Sequence, residues 1–244
     1  MLTTRQGSAS VLPARGGVTM GWFAESYRSA LGKKAVMAVT GFVLFGFVFV
    51  HMVGNLKLYL GPEKLNHYGE FLREVGAPVF LHGQVLWIAR AVLLLCVVLH
   101  MHCAWVLTRT SWAARPVGYR MQQAVQTTYA SRTVRWGGVI IGAFVLYHLA
   151  HLTLGWTTDG FQPGKPYENI VAGFQVPWIA AIYVVANLAL GLHLYHGIWS
   201  LFQTLGWNSP GFNPWRRRFA AAFAVIVTAG NVSFPIAVLT GFVR

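Results

Sequence analysis

The chain has 244 residues, of which 55% are hydrophobic and 10% are charged, with a formal net charge of +13. A soluble domain normally carries about 25% charged residues, so this composition excludes an ordinary soluble protein and indicates a membrane protein. The basic residues lie mainly in short segments between apolar stretches, which argues against nucleic-acid binding and for a membrane-topology signal.

The segment that precedes the first apolar stretch has no apolar core of its own. It begins "MLTTRQGSASVLPARGG" and does not resemble a cleavable signal peptide. We expect residues 1–20 to be flexible, as untethered termini usually are, and residues 21–244 to form a single domain.

Five stretches are long enough to cross a bilayer, since a helix needs about 20 apolar residues to span the hydrocarbon. In chain order they are 35–56, 83–108, 136–156, 177–205 and 219–243. Each is too long for a strand and lacks strict alternation, so the sequence predicts an all-α integral membrane bundle of five transmembrane helices. The segment 157–176 reads as an irregular loop.

The loop charges orient this bundle. Segments 1–34, 109–135 and 206–218 carry five, five and three basic residues, and the segments on the other side carry five in total. The positive-inside rule therefore predicts a cytoplasmic N-terminus, an outside C-terminus and a multi-pass protein of a bacterial cytoplasmic membrane. Arg90 lies within the second span, and because a buried arginine is costly we expect it to pair with an anionic group.

Histidine is the unusual residue of these stretches, which contain seven of the nine in the chain. A single intramembrane histidine is explained equally well by a hydrogen bond to a neighbouring helix, but these recur at matching depths. At 1.5 Å per residue, His51 of the first span and His148 of the third both lie in the outer half of the bilayer. His100 of the second span and His193 of the fourth both lie in the inner half.

Two imidazoles at a common depth are what a six-coordinate haem iron requires. The depths therefore predict two haems b, one held by His51 and His148 and the other by His100 and His193. His102, His151 and His196 remain rivals, because periodicity alone does not separate them from the histidines beside them. Their alternative roles are hydrogen bonds to haem propionates or lipid headgroups.

Other chemistry fits the spans less well. A zinc site usually needs four N, S or O ligands close together, and a proton-driven transporter needs a carboxylate relay, whereas the five stretches contain no Asp or Glu. No CxxCH motif is present, so covalent haem attachment is not expected. A haem-free structural anchor, whose histidines only join helices, is the alternative of a different class.

Five segments carry a family resemblance by their order and spacing. They are "HMVGN" at 51–55, "GPEKLNHYGEFLR" at 61–73, "LHMHCAWVLTRTSWAARP" at 99–116, "SRTVRWGG" to "YHLAH" over 131–151, and "LHLYHGIWSLFQTLGWN" at 192–208. Over roughly residues 30–240 the chain resembles the five-helix, di-haem cytochrome b subunit that anchors succinate dehydrogenase and fumarate reductase in the membrane.

The resemblance implies the same four ligands. In that family the first and third helices bind the distal haem, far from the catalytic subunits, and the second and fourth bind the proximal haem. The flanking residues that match the family are Arg135 and Gly138 before His148, Ala104 and Leu107 after His100, and Gly197–Ser200 after His193.

The resemblance also implies the partners and the reaction. A flavoprotein subunit with FAD would oxidise succinate in the cytoplasm, an iron–sulfur subunit would pass the electrons on, and this subunit would deliver them to a quinone, with menaquinone expected. The oligomeric state of the complex stays open. Some fumarate reductases of the family have a glutamate two positions before the fourth-span ligand, used for transmembrane proton movement. Gly191 stands there in this chain, which favours a succinate dehydrogenase over a quinol-oxidising fumarate reductase.

Two zones are candidates for the quinone, and each also reads as an ordinary headgroup-facing segment. The inner zone contains Arg28, Ser29 and Lys33, and the outer zone contains Asn66, His67, Tyr68 and Glu70. Arg90, Arg132 and Arg135 are candidates for neutralising haem propionates, with a snorkelling side chain as the alternative.

Overall fold

The structure, a computed structural model, describes residues 20–114 and 129–244, with side chains at 21, 25–114 and 134–244. This described part holds eight α-helices and one 3-10 helix and contains no strand. The helices are α1 (Met20–Arg28), α2 (Ala30–Asn55), α3 (Pro62–Glu74), α4 (Gln84–Ala113), α5 (Tyr129–Leu152), α6 (Pro166–Phe174), α7 (Pro177–Thr204) and α8 (Asn213–Leu239), with the 3-10 helix at Leu56–Leu60. The predicted flexible segment 1–20 lies outside the described residues except for Met20.

Four helices in the described part are long and apolar enough to cross a membrane: α2 with the 3-10 helix, α4, α7 and α8. Large apolar side chains on these helices point outward. Leu94, Leu95 and Trp105 of α4, for example, are 61%, 57% and 61% exposed. Such an apolar exterior suits a lipid environment and not water.

The third predicted span also forms a helix, α5, but it is not among those four. Tyr147, His148 and His151 interrupt its apolar run. The chain is therefore a helical, multi-pass membrane protein, and the fifth crossing and the orientation of the termini stay predictions.

Helix α7 lies at the centre of the bundle. It packs against α8 most extensively and also contacts α2, α5 and α6, while α2 packs on α4 and α8. A cluster of Leu194, Ile198, Ala220, Ala224 and Val227 joins α7 to α8. Helices α4 and α5 thus flank a core of α2, α7 and α8.

Two short helices, α3 and α6, cover one end of the bundle, and α6 lies where the sequence predicted irregular chain over 157–176. That expectation was wrong. Leu65 of α3 and Ile170, Val171 and Phe174 of α6 are buried in one apolar cluster with Leu58, Tyr183 and Phe234. Pro62 and Pro166 stand in the first turns of these helices, where proline's fixed φ favours helix initiation.

The long helices also extend beyond the predicted spans. Ser29 caps α2, because its Oγ accepts a hydrogen bond from the Gly32 N–H at 2.9 Å, so that helix starts before residue 35. Helix α8 begins at Asn213 instead of 219, with Pro214 in its first turn. The three arginines 216–218 therefore belong to a helix and not to a loop.

Candidate functional site

The structure brings His51 of α2 and His148 of α5 together. Their ring centroids are 5.9 Å apart with an interplanar angle of 88°. Phe47 stacks on His51 at 5.3 Å and Phe144 lies 5.8 Å from His148, so aromatic rings flank the pair on both helices.

Tyr183 of α7 joins this pair to a third histidine. Its hydroxyl lies 3.2 Å from Nδ1 of His148 and 2.8 Å from Nδ1 of His151. When His148 Nδ1–H donates to this hydroxyl, Nε2 of His148 carries the lone pair that a metal ligand needs.

The structure also brings His100 of α4 and His193 of α7 together, with ring centroids 6.2 Å apart and an interplanar angle of 66°. Nδ1 of His100 lies 3.1 Å from the Met37 carbonyl oxygen and 3.3 Å from Thr40 Oγ1. Because a carbonyl only accepts, Nδ1 of His100 carries the hydrogen and Nε2 carries the lone pair. Nδ1 of His193 is buried without a hydrogen-bond partner in the described part.

Two glycines, Gly41 and Gly138, face the rings of this second pair. A Cβ placed on Gly41 would come within 3.2 Å of Cε1 of His100, and one on Gly138 within 3.9 Å of Cε1 of His193. A cavity of about 220 Å³ adjoins His193, lined by Val134, Trp136, Gly137, Ile140, Ala189 and Leu192.

These observations test whether the two pairs suit haem iron. Metal–imidazole bonds are about 2 Å long, so one ion held between two imidazole nitrogens sets the ring centroids about 6 Å apart. Both pairs have that spacing, and His100 has the required tautomer. No group of three or more His, Cys, Asp or Glu side chains within residues 20–114 and 129–244 is placed to hold a metal ion. Pairs suit a metal whose remaining ligands come from a macrocycle, so the residues fit haem.

The three rival histidines lie in other surroundings. His102 is exposed and stacks with Tyr27 at 6.3 Å, and His196 lies 6.3 Å from the ring of Trp199. His151 is 1% exposed and abuts Gly173 of α6, where an added Cβ would overlap its Nε2. The histidine ring pairs between different helices in the described part are the two above, and neither includes a rival.

Gly191 is fixed by the packing of α7 on α8. It is buried, and an added Cβ would overlap Oγ1 of Thr228 on α8. A glutamate at this position would therefore require the two helices to separate.

The arginines predicted near the haems sit at helix ends. The expectation that Arg90 is buried was wrong: it is exposed, with its guanidinium 4.8 Å from the ring of Trp87. Arg90 lies in the second turn of α4 and stacks on an aromatic residue of the first, and its pairing with an anionic group stays a prediction. Arg135 is also exposed and lies 5.4 Å from the ring of Trp112. The side chain of Arg132 lies outside the described residues.

The inner quinone zone is engaged in joining α1 to α2. Ser29 Oγ caps α2 and donates to the Ser26 carbonyl at 2.7 Å. Lys33 Nζ donates to the carbonyl oxygens of Tyr27 and Arg28 at 3.0 and 2.7 Å. Arg28 itself has an exposed side chain.

The outer quinone zone lies on α3, and its asparagine ties α3 to α6. Asn66 Nδ2 donates to both carboxylate oxygens of Glu168, at 3.1 and 2.9 Å, and its Oδ1 accepts from the Tyr167 N–H at 3.0 Å. Tyr68 packs against Gly54 and lies 5.5 Å from Lys57 Nζ. His67 and Glu70 are exposed.

Sequence reasoning missed Tyr183. A signal for it did exist, because Tyr183 precedes His193 by ten residues on α7. Ten residues of helix span roughly 15 Å, so α7 carries a polar side chain about 15 Å from His193, towards the depth of the other pair.

The comparisons with known proteins give one match. Residues 113–232 match the model of the succinate dehydrogenase/fumarate reductase transmembrane subunit. No curated protein and no solved structure matches the chain.

Proposed function

The chain belongs to the succinate dehydrogenase/fumarate reductase transmembrane subunit family, and we propose that it is the cytochrome b anchor of a succinate dehydrogenase complex. It binds two haems b and passes electrons from an iron–sulfur subunit to a membrane quinone, with menaquinone as the expected acceptor. A flavoprotein subunit with FAD oxidises succinate. The observation that carries this proposal is the pairing of four histidines from four helices into two pairs with centroid spacings of 5.9 and 6.2 Å.

The chain's own residues supply binding, orientation and exclusion of water. His51 and His148 hold one haem and His100 and His193 hold the other. When bound, the haems supply reversible one-electron chemistry of iron. The Met37 carbonyl accepts from His100 Nδ1, which leaves Nε2 of that ring unprotonated and able to bind a metal. The Tyr183 hydroxyl would do the same for His148 by accepting from its Nδ1.

The topology follows the loop charges. In the proposed arrangement five helices cross a bacterial cytoplasmic membrane, α5 being the fifth, with the N-terminus in the cytoplasm. The basic inner segments then face an acidic docking surface of the catalytic subunits as well as anionic lipid.

Gly191 supports succinate oxidation as the direction of the proposed reaction. This position carries no carboxylate, so a proton route through α7 at that point is absent from the proposal. The oxidation of succinate fits this better than a quinol-oxidising fumarate reductase.

The test uses the purified complex and a redox titration of its haems. We expect His51→Ala and His148→Ala to remove the same haem component, and His100→Ala and His193→Ala to remove the other. The control His102→Ala changes an exposed histidine on the same helix as His100 and should keep both components.

The same preparations should reduce a menaquinone analogue with succinate as donor, and the four ligand variants should lose most of that activity. If His51→Ala and His193→Ala removed the same component, the pairing would be wrong. A complex that assembles fully without any haem would instead be a structural anchor.

A further inference from the structure

Arg216 in the first turn of α8 is a buried cation. Its side chain is 2% exposed, and its Nε and Nη1 have no hydrogen-bond partner in the described part of the chain. A buried, unpaired charge is expensive, and in membrane proteins such a group usually faces an anion. Neither α7 nor α8 contains an Asp or Glu.

Trp199 contacts this arginine and His196 lies against Trp199, and each has a polar nitrogen with unused hydrogen-bonding capacity. Trp199 of α7 lies under two guanidinium groups, with its ring centroid 5.5 Å from Cζ of Arg216 and 5.0 Å from Cζ of Arg217. Nε1 of Trp199 and Nδ1 of His196 are both buried and have no partner among the described residues. The two like charges repel each other, and an oxyanion that accepts from several donors at once would neutralise them.

The surroundings of the cluster indicate where that oxyanion comes from. The cluster lies where α7 ends and α8 begins, and the amino end of α8 adds the positive end of a helix dipole. The connection from α7 to α8, together with the first turn of α8, contains Leu205, Trp207 and Trp215, which are 53%, 59% and 51% exposed. Exposed tryptophans near the ends of membrane helices mark the level of the lipid headgroups, and their apolar faces offer a surface to acyl chains.

We propose that Arg216, Trp199 and His196 form a binding site for the phosphodiester of an anionic phospholipid, with Arg217 as the second cation. The lipid neutralises the buried guanidinium and seals the junction of α7 and α8. This site does not depend on haem, and its test can be run on a preparation of any haem content.

The experiment measures lipid binding to the delipidated, purified full-length protein in its complex. The probes are phosphatidylglycerol, diacylglycerol with the same acyl chains, and inorganic phosphate, and bound molecules are counted by native mass spectrometry. The salt concentration is kept at about 0.5 M so that exposed charges are screened. Phosphatidylglycerol should bind, and neither diacylglycerol nor millimolar phosphate should replace it.

Two variants and one control test the residues. Arg216→Gln should weaken phosphatidylglycerol binding roughly tenfold or more, since it removes charge-assisted hydrogen bonds. Trp199→Phe keeps an aromatic ring but removes the indole N–H and part of the ring surface, and should weaken binding about threefold to tenfold. The control Arg218→Gln changes an exposed arginine of the same run and should change binding by less than about twofold at this salt.

Three results would overturn the proposal. The first is an equal loss in Arg216→Gln and Arg218→Gln, which would indicate unspecific attraction to the surface. The second is displacement of the lipid by inorganic phosphate, which would indicate a site for a free anion. The third is loss of haem in Arg216→Gln with unchanged lipid binding, which would assign the arginine to a propionate. If Arg216→Gln fails to fold, unchanged binding in Trp199→Phe is by itself sufficient to overturn it.

Discussion

At the scale of single residues, two of the four proposed ligands have a hydrogen-bonding partner at Nδ1. For His100 that partner is a backbone carbonyl, which no substitution of a side chain removes. For His148 it is the hydroxyl of Tyr183, so this histidine has an orienting partner that mutation can delete.

We therefore expect Tyr183→Phe to change the midpoint potential of the haem proposed to bind at His148 and to leave that of the other haem unchanged. A hydrogen bond from Nδ1 makes the imidazole a stronger donor to the metal and favours the oxidised iron. Its removal should raise the midpoint potential of that haem by an amount on the order of tens of millivolts. A redox titration of the purified complex measures this.

Tyr195→Phe is the matched control for that change, because it removes a hydroxyl from the same helix and should leave both potentials in place. A shift of the His100–His193 haem in Tyr183→Phe, or no shift at all, would contradict the assignment.

At the residue scale, the sequence predicts the histidine pairs but misses Tyr183 and the exposed position of Arg90. Depth in a helix is linear in residue number, so the spatial pairing of His51 with His148 and of His100 with His193 is predictable, while their role as haem ligands stays a prediction. Tyr183 is an aromatic residue in an apolar run, so hydropathy does not single it out, and only its distance of ten residues from His193 places it towards the depth of the other pair. The predicted start of the second span, residue 83, lies one residue from the start of α4, but hydropathy does not show which side chains of a helix face outward, and the exposed position of Arg90 was therefore missed.

At the scale of helices, glycine decides how closely α7 approaches α8. Gly191→Ala should destabilise the protein by about 1–3 kcal/mol, because the new Cβ overlaps Thr228 and forces the helices apart. Thermal unfolding of the purified protein in detergent, followed by circular dichroism, measures this.

Gly197→Ala is the control on the same helix, since a Cβ there meets nothing within 4 Å. It should leave stability unchanged or raise it by about 1 kcal/mol through helix propensity. Thr228→Ala should restore part of the loss in the double variant. Equal effects of the two glycine substitutions would show that the Thr228 contact is unimportant.

The cap of short helices depends on one amide side chain. Asn66→Ala should loosen α3 and α6 together, by about 1–3 kcal/mol of local stability, because the Glu168 carboxylate and the Tyr167 N–H both lose their partner. Hydrogen exchange over residues 62–74 and 166–174 should accelerate in this variant. His67→Ala, at the exposed neighbouring position, should not accelerate it, and a similar acceleration there would contradict the role given to Asn66.

Hydropathy predicts the long helices well and their surroundings poorly. A run of apolar residues identifies α2, α4, α7 and α8 because length is what the bilayer demands. Helices α3 and α6 are too short for that criterion and bury one face only, so they read as loops. The three arginines at 216–218 end the apolar run, so hydropathy predicts the start of α8 too late in the chain. A helix end at the headgroup layer nevertheless tolerates such charges.

At the scale of the whole molecule, the charges of the connecting segments predict the topology. With five crossings and an inner N-terminus, the C-terminal Arg244 lies outside. A reporter fused to the C-terminus that is active only in the periplasm should therefore be active, and one that is fluorescent only in the cytoplasm should be dark. The same pair of reporters fused after Asn208, between α7 and α8, should give the opposite pattern. A fluorescent C-terminal fusion would imply four crossings, the number of helices in the described part that meet the length and hydropathy criterion.

The central claim is that one chain holds two haem irons, each between histidines of two helices. It is tested most directly by the reduced-minus-oxidised absorption spectrum of the purified complex together with a count of haem per chain. The account predicts a b-type band that titrates as two components, with about two haems for each chain. A correctly assembled complex without such a band, or with a single component, would contradict it.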